Sequence, residues 1–146
     1  MSLLQRYLHH TLNRGTFNAP VDPVKMNLPD YEKIITQPMD LGTVKQRLQA
    51  LLYEDEIEFG QDVRLVFSNT IIYNPSGHFA HEAAKQLAAE FEGDFAKLQA
   101  RKAKQQAKTC KHKQRRKKAM EHKSTTGKHT NKQRNKKTKK AQRAQR

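Results

Sequence analysis

Pro38-Met39-Asp40-Leu41-Gly42-Thr43-Val44-Lys45-Gln46-Arg47-Leu48-Gln49-Ala50-Leu51-Leu52 reads as the cap and body of an amphipathic helix. The Asp40 carboxylate can accept the orphan N–H groups of the first turn, and Leu41, Val44, Leu48, Leu51 and Leu52 supply an apolar stripe at helical period. A second such segment follows Tyr53. Asp55 and Glu58 have capping-box spacing, and Phe59, Val63, Val66, Phe67 and Thr70 carry the period on toward Tyr73-Asn74. Pro75-Ser76-Gly77 then interrupts the chain, and a further helix is predicted over 79–98, with Ala80, Ala84, Leu87, Phe91, Phe95 and Leu98 on one stripe and no strong cap at its start.

Upstream, Leu4, Leu8 and Leu12 with Tyr7 form one face of a short helix that Gly15 would end. Between it and Asp40 lie some 25 residues without helical pattern, punctuated by Pro20, Pro23, Pro29 and Pro38, each of which biases its predecessor away from helix. This connection also carries Phe17, Val21, Met26, Leu28, Tyr31, Ile34 and Ile35. It is too apolar for a solvated linker, and connections of this length in a compact domain are usually functional. Period-two alternation is absent from the sequence. Four amphipathic helices without a strand signal predict an all-α bundle.

Charge divides the chain in two. Residues 1–100 carry 9 Lys+Arg against 13 Asp+Glu, whereas residues 101–146 carry 20 Lys+Arg against the single acid Glu121. The folded part is therefore expected over 1–100. Residues 101–146 lack Leu, Ile, Val, Phe and Tyr; a segment that buries so little cannot offset the entropy of ordering, and a disordered basic tail is expected, with pieces such as 102–108 transiently helical as an extension of the last helix. Cys110 is the only cysteine, so no internal disulfide can form. There is no run of about 18 apolar residues and no membrane span is expected; the N-terminus lacks the apolar run of a signal peptide.

Three stretches carry a resemblance: Phe17-Asn18-Ala19-Pro20-Val21-Asp22 leading to Leu28-Pro29-Asp30-Tyr31; Pro38 through Val44; and Asp62-Val63-Arg64-Leu65-Val66-Phe67-Ser68-Asn69 leading to Tyr73-Asn74-Pro75. In this order and spacing the chain resembles the bromodomain family over roughly residues 3–98, in particular the BET proteins and their plant global-transcription-factor relatives. The resemblance implies a left-handed four-helix bundle with an acetyl-lysine pocket at one end, rimmed by the long connection and by the break before the last helix. It implies that Asn74 donates to the acetyl carbonyl and that Tyr31 reaches the same oxygen through water. Phe17 and Val21 would form the shelf and wall beside the methyl, Met26, Leu28 and Tyr73 further lining, and Ala80 the gatekeeper position.

The chemistry suits those residue types. Acetyl-lysine is neutral, with an apolar stem and one amide to satisfy, and a neutral asparagine can donate to it. An unmodified lysine would have to bury its ammonium without a counter-charge, so rejection of the charged form supplies most of the selectivity. Asp22, Asp30, Glu32, Glu54, Asp55 and Glu56 would favour the approach of a basic, acetylated histone tail. The chain departs from the BET pattern in having Gly15-Thr16 where those proteins have Trp-Pro, and alanine at the gatekeeper position. A more open pocket follows, with weak binding of single acetyl marks and tolerance of longer acyl groups; Phe79 is a candidate to fold inward as replacement cover.

Taken alone, Asn74 reads as a helix C-terminal cap and Tyr31 as a packed aromatic; the motifs around them turn both into pocket residues. His9-His10 and the pair His78 and His81 lack a third ligand and read as surface histidines, so neither a metal site nor a cofactor is expected. No phosphate loop or acid–base constellation marks an enzyme. Runs such as Lys111-His112-Lys113-Gln114-Arg115-Arg116-Lys117-Lys118 read as nuclear-targeting or nucleic-acid patches, and the tail is expected to bind DNA or RNA without reading sequence. The expectation is a nuclear chromatin factor in transcription regulation. Two alternatives stay open: a basic nucleic-acid-binding protein with a merely structural helical domain, and a piece or divergent copy of a longer regulator.

Overall fold

Ser2 accepts the N–H of Gln5, and the Gln5 side chain accepts the N–H of Ser2, closing a capping box that starts α1 (Leu3–Leu8). The computed structural model describes the backbone of residues 2–143 and the side chains of residues 2–118. α1 stops well short of Gly15, leaving Leu12 outside it, because Asn13 turns back on its last carbonyls: Nδ2 donates to Tyr7 O at 2.8 Å and to Leu8 O at 3.3 Å. Arg14 (φ 46°) and Gly15 (φ 82°) then reverse the chain.

The long connection contains one short helix absent from the sequence-based expectation, α2 (Tyr31–Ile34). Hydrogen bonds stitch the connection to the bundle. The Leu41 N–H donates to Phe17 O at 2.8 Å, and the Asn69 side chain donates to Gln37 O at 2.7 Å.

Asp40 caps α3 (Leu41–Gln49) as expected, accepting from the Thr43 N–H at 2.9 Å. Only Leu41 and Val44 of the predicted stripe are buried; Leu48, Leu51 and Leu52 are 40%, 87% and 64% exposed. Leu51 and Leu52 leave the stripe because the helix ends at Gln49 and Leu51 takes a left-handed conformation (φ 55°), so that Leu52 N–H bonds back to Arg47 O at 3.0 Å; Leu48, in the last turn, is only partly covered. Asp55 caps α4 (Glu56–Tyr73), accepting from the N–H groups of Ile57 and Glu58, while Glu58 reaches back to the Glu54 N–H.

α5 (Phe79–Arg143) does have a cap: His78 Nδ1 accepts from the Ala80 N–H at 3.2 Å. Its first turns bury Ala80, Ala83, Ala84, Leu87, Phe91 and Phe95. All of these but Ala80 meet Leu4 and Tyr7 of α1, Leu41 and Val44 of α3, and Phe59, Val63, Val66 and Phe67 of α4 in one core, with Tyr7 edge-on to Phe91 and Phe91 stacked on Phe95. Polar ties flank the core. The Tyr7 hydroxyl and Arg6 both reach Asp94; Arg64 grips Glu92 through two nitrogens; Asp62 takes both Arg47 and the Tyr53 hydroxyl. The result is an all-helical four-helix bundle built from α1, α3, α4 and the start of α5, and among the described residues there is no strand.

The chain divides into two units, Met1–Leu98 and Gln99–Arg146. In the second unit the structure draws helix to Arg143 where the sequence predicts a disordered tail over 101–146. Every side chain from Gln99 to Lys118 is exposed, so this helix rests on the local propensity of Ala, Gln, Lys and Arg rather than on a buried face. The part of the tail expectation that falls on residues 144–146, and on side chains from 119 onward, lies outside the described residues. Among the described residues no helix is long and apolar enough to cross a membrane.

Candidate functional site

Asn74 stands one residue past the end of α4, in extended conformation (φ −94°, ψ 137°). Its N–H and its Nδ2 both donate to Thr70 O, at 3.1 and 2.9 Å. The residue therefore is a helix cap, as its isolated reading suggests. An amide nitrogen has two N–H bonds, and Thr70 takes one of them; the other has no partner among the described residues, nor has Oδ1. The cap interaction fixes the plane of the amide and leaves a donor and an acceptor unspent.

Tyr31, at the start of α2, is 7% exposed and lies edge-on to Tyr73, with ring centroids 4.9 Å apart. Its hydroxyl makes no hydrogen bond among the described residues, and yet it is not a sealed unsatisfied atom, so the ring is packed while the oxygen stays within reach of solvent. Burial raises the phenol pKa, which keeps the group a neutral donor and acceptor through the physiological range. The Tyr73 hydroxyl donates to Asp30 Oδ1 at 2.9 Å and locks the N-terminal end of α2 to the last turn of α4. Burial and the Asp30 carboxylate push the Tyr73 phenol up. Tyr31 and Tyr73 are thus brought together at the end of α4, which Asn74 caps.

The other expected residues fall into three groups. Phe17 lies in the core at 3% exposure, edge-on to Phe67, and Ala80 is buried in the first turn of α5. Val21 and Leu28 are half-buried on the connection. Met26 is not gathered in: it is 59% exposed, next to Asn27 in a left-handed conformation. A shallow depression of about 360 Å³ is lined by Pro23, Val24, Asn27, Leu28, Pro29 and Glu32; of the expected set it includes Leu28. Phe79 does not fold inward. It is 44% exposed, with the Arg14 guanidinium 4.9 Å from its ring centroid, so where the family's Trp-Pro is missing a cation–π pair joins the turn after α1 to the start of α5.

Sequence reasoning missed several residues around this end of the bundle. His81 is half-buried rather than a surface histidine, and its Nδ1 lies 2.9 Å from Asn74 O and 3.1 Å from Ile71 O. Asn69, 7% exposed, anchors the connection through Gln37 O. Its signal was available: an amide one turn beyond Val66 and one before Tyr73 interrupts an otherwise apolar stripe, and a polar group there needs a partner. His81 gave no such signal, because the carbonyls it meets are freed only by where α4 ends.

Residues 3–86 match the family model described as Bromodomain. The chain is similar to transcription factor GTE3, chloroplastic, of Arabidopsis thaliana, at 45% identity over 98 residues covering 67% of this chain and 21% of that protein. Transcription factor GTE11 of Arabidopsis thaliana is 51% identical over 91 residues, covering 62% and 14%. The SWR1 complex bromodomain subunit bdf1 of Schizosaccharomyces pombe (strain 972 / ATCC 24843) is 40% identical over 93 residues, covering 64% and 16%. The chain spans about a fifth or less of the length of these relatives.

Proposed function

The chain belongs to the bromodomain family, and from that premise we propose that residues 1–100 read acetylated lysine on histone tails, in chromatin-linked regulation of transcription. The observation that carries this reading is the unspent N–H of Asn74, held in a fixed plane by Thr70 O, next in sequence to Tyr73, which packs edge-on to Tyr31, whose hydroxyl is still free to hold water. In the proposed complex the Asn74 amide donates to the acetyl carbonyl, and a water on the Tyr31 hydroxyl donates to the same oxygen. Phe17, Val21, Leu28, Tyr73 and Ala80 border the apolar stem and methyl, with Met26 at the exposed outer edge. The site binds and performs no chemical step.

The test is calorimetry of the whole chain with histone-tail peptides, acetylated and unmodified. Binding of the acetylated peptide alone, abolished by Asn74→Ala, is the expected result. Absence of binding by the unsubstituted protein to any acetylated peptide overturns the reading and leaves the alternative in which the bundle is only structural.

The second unit adds to this reading. Between Arg101 and Lys118 the chain carries ten Lys and Arg, no acid, and exposed side chains throughout, which suits non-specific contact with DNA or RNA by counterion release. Deleting residues 101–146 is expected to flatten the salt dependence of nucleosome binding; an unchanged slope removes this part of the proposal. A nuclear location follows from the same reading, and imaging of the tagged chain tests it against the chloroplast that the names of two relatives print.

A further inference from the structure

Asn74 is tied to its surroundings by three hydrogen bonds, and two of them go to the same atom of its own helix, Thr70 O. The third comes from α5: His81 Nδ1 approaches Asn74 O at 2.9 Å and Ile71 O at 3.1 Å. Two carbonyls facing one ring nitrogen leave only one workable assignment, since a bare nitrogen lone pair would repel both. Nδ1 must carry the proton and share it between them. These are two of the carbonyls that the end of α4 leaves without helical partners.

We propose that His81 is a positioning residue for acetyl-lysine recognition: its Nδ1–H holds the Asn74 carbonyl, and thereby sets the direction in which the Asn74 amide presents its free N–H. The proposal rests on the reading of Asn74 as the acetyl contact. The Thr70 bonds alone fix Asn74 relative to α4; the His81 bond fixes it relative to α5, where the adjacent residue, Ala80, occupies the gatekeeper position. The imidazole thus sets the spacing between the polar contact and the opposite wall. Its neighbours hold α5 in register for this. His78 Nδ1 accepts from the Ala80 N–H at 3.2 Å, and Glu82 Oε1 accepts from the Gly77 N–H at 3.2 Å. The two histidines are therefore used in opposite senses, one ring nitrogen accepting and the other donating.

The test compares the whole chain with His81→Phe, which keeps a ring and loses the donor, and with His81→Asn, whose amide can donate from nearly the position of Nδ1. Three quantities are read: affinity for an acetyl-lysine histone-tail peptide, the thermal midpoint, and the side-chain amide proton pair of Asn74 in a nitrogen–proton correlation spectrum, identified by its loss in Asn74→Ala. His81→Phe is expected to move the Asn74 amide pair and weaken binding about tenfold. His81→Asn is expected to return the amide pair and most of the affinity. A merely structural histidine would lower the midpoint in both variants with no such rescue. If the unsubstituted chain binds the peptide and His81→Phe binds it equally, this proposal falls and the reader assignment stands. If the unsubstituted chain binds no acetylated peptide, the reader assignment falls and takes this proposal with it. Should His81→Phe fail to fold, the ring-nitrogen signals of His81 in the unsubstituted protein decide the matter: a proton on Nε2 instead of Nδ1 in the neutral ring overturns the arrangement.

Discussion

Replacing Asn13 by alanine should be among the most damaging single changes to the bundle, although nothing in its position hints at function. Asn13 is fully buried. Its Nδ2 donates to Tyr7 O at 2.8 Å, Leu8 O at 3.3 Å and Asn18 Oδ1 at 2.6 Å, and its Oδ1 accepts from the Phe17 N–H at 3.0 Å. Not all of these are equally costly to lose. Tyr7 O keeps the His10 N–H at 3.3 Å, and Leu8 O keeps the Asn18 amide at 3.1 Å. The Phe17 N–H has no second acceptor and belongs to a residue 3% exposed. Stranding that donor costs about 1–3 kcal/mol, and the remaining bonds contribute about 1 kcal/mol net between them, giving a loss of roughly 2–4 kcal/mol. For a unit of this size that lowers the midpoint by roughly 10–30 °C. The chain has no tryptophan and the second unit is helical, so calorimetry is a cleaner assay than fluorescence or far-ultraviolet dichroism. Asn18→Ala is the control and should cost less, since Asn18 is only half-buried. A loss under about 1 kcal/mol for Asn13→Ala would refute the reasoning, because it would mean that water reaches the Phe17 N–H.

Three further expectations follow from the same geometry. A Cβ added at Gly42 would run into the backbone carbonyl of Asn18 and come within 2.9 Å of the capping Asp40 Oδ1; Gly42→Ala should therefore destabilise by about 1–3 kcal/mol despite the usual helix gain of about 1 kcal/mol, as chemical denaturation would report. Burial alone would raise the Asp94 carboxyl, but the Tyr7 hydroxyl, Lys97 and Arg6 outweigh it and hold the group below the usual carboxylate range. A depressed folded-state pKa stabilises above the unfolded value and loses that contribution as pH falls through the folded one, so midpoints should drop below about pH 4 and Asp94→Asn should show a shallower drop in calorimetry from pH 2 to 7. Ala80→Ile should shift acyl preference toward acetyl, lowering butyryl-peptide affinity relative to acetyl-peptide affinity by severalfold as apolar volume fills the wall; an unchanged ratio in calorimetry would show that position 80 does not border the acyl chain.

Much of the bundle was legible because its signals are local. Asp40 and Asp55 cap where their spacing says they should, and the apolar period of α4 and α5 locates Val63, Phe67, Leu87 and Phe91 in the core. What failed was set by the end of an element meeting another. Leu51 and Leu52 continue a helical stripe on paper, yet the left-handed turn at Leu51 takes the chain out of it. Leu12 was lost to α1 because a buried amide from outside the helix claims its last carbonyls. At the site, the motifs point to Asn74, Tyr31 and Tyr73, and the fold packs Tyr31 against Tyr73 at the end of the helix that Asn74 caps; the resemblance places Met26 in the lining, whereas its side chain is 59% exposed beside the left-handed turn at Asn27. The partnership of His81 with Asn74 depends on two helix ends facing each other, and no periodicity encodes that.

The long connection is anchored unevenly, and this has a practical side. Asn13, Phe17 and Asn18 are each held by several hydrogen bonds, and Phe17 O holds the start of α3; from Pro23 to Asn27 the side chains of Val24 and Met26 stand in solvent at 90% and 59% exposure. Extra residues, a dye or a protease site introduced over 23–27 should be absorbed without disturbing the helices, while a single inserted residue over 13–18 would shift the register of everything it fastens. The same contrast makes 23–27 the place to mount a reporter beside the site, where a bound peptide would change its surroundings.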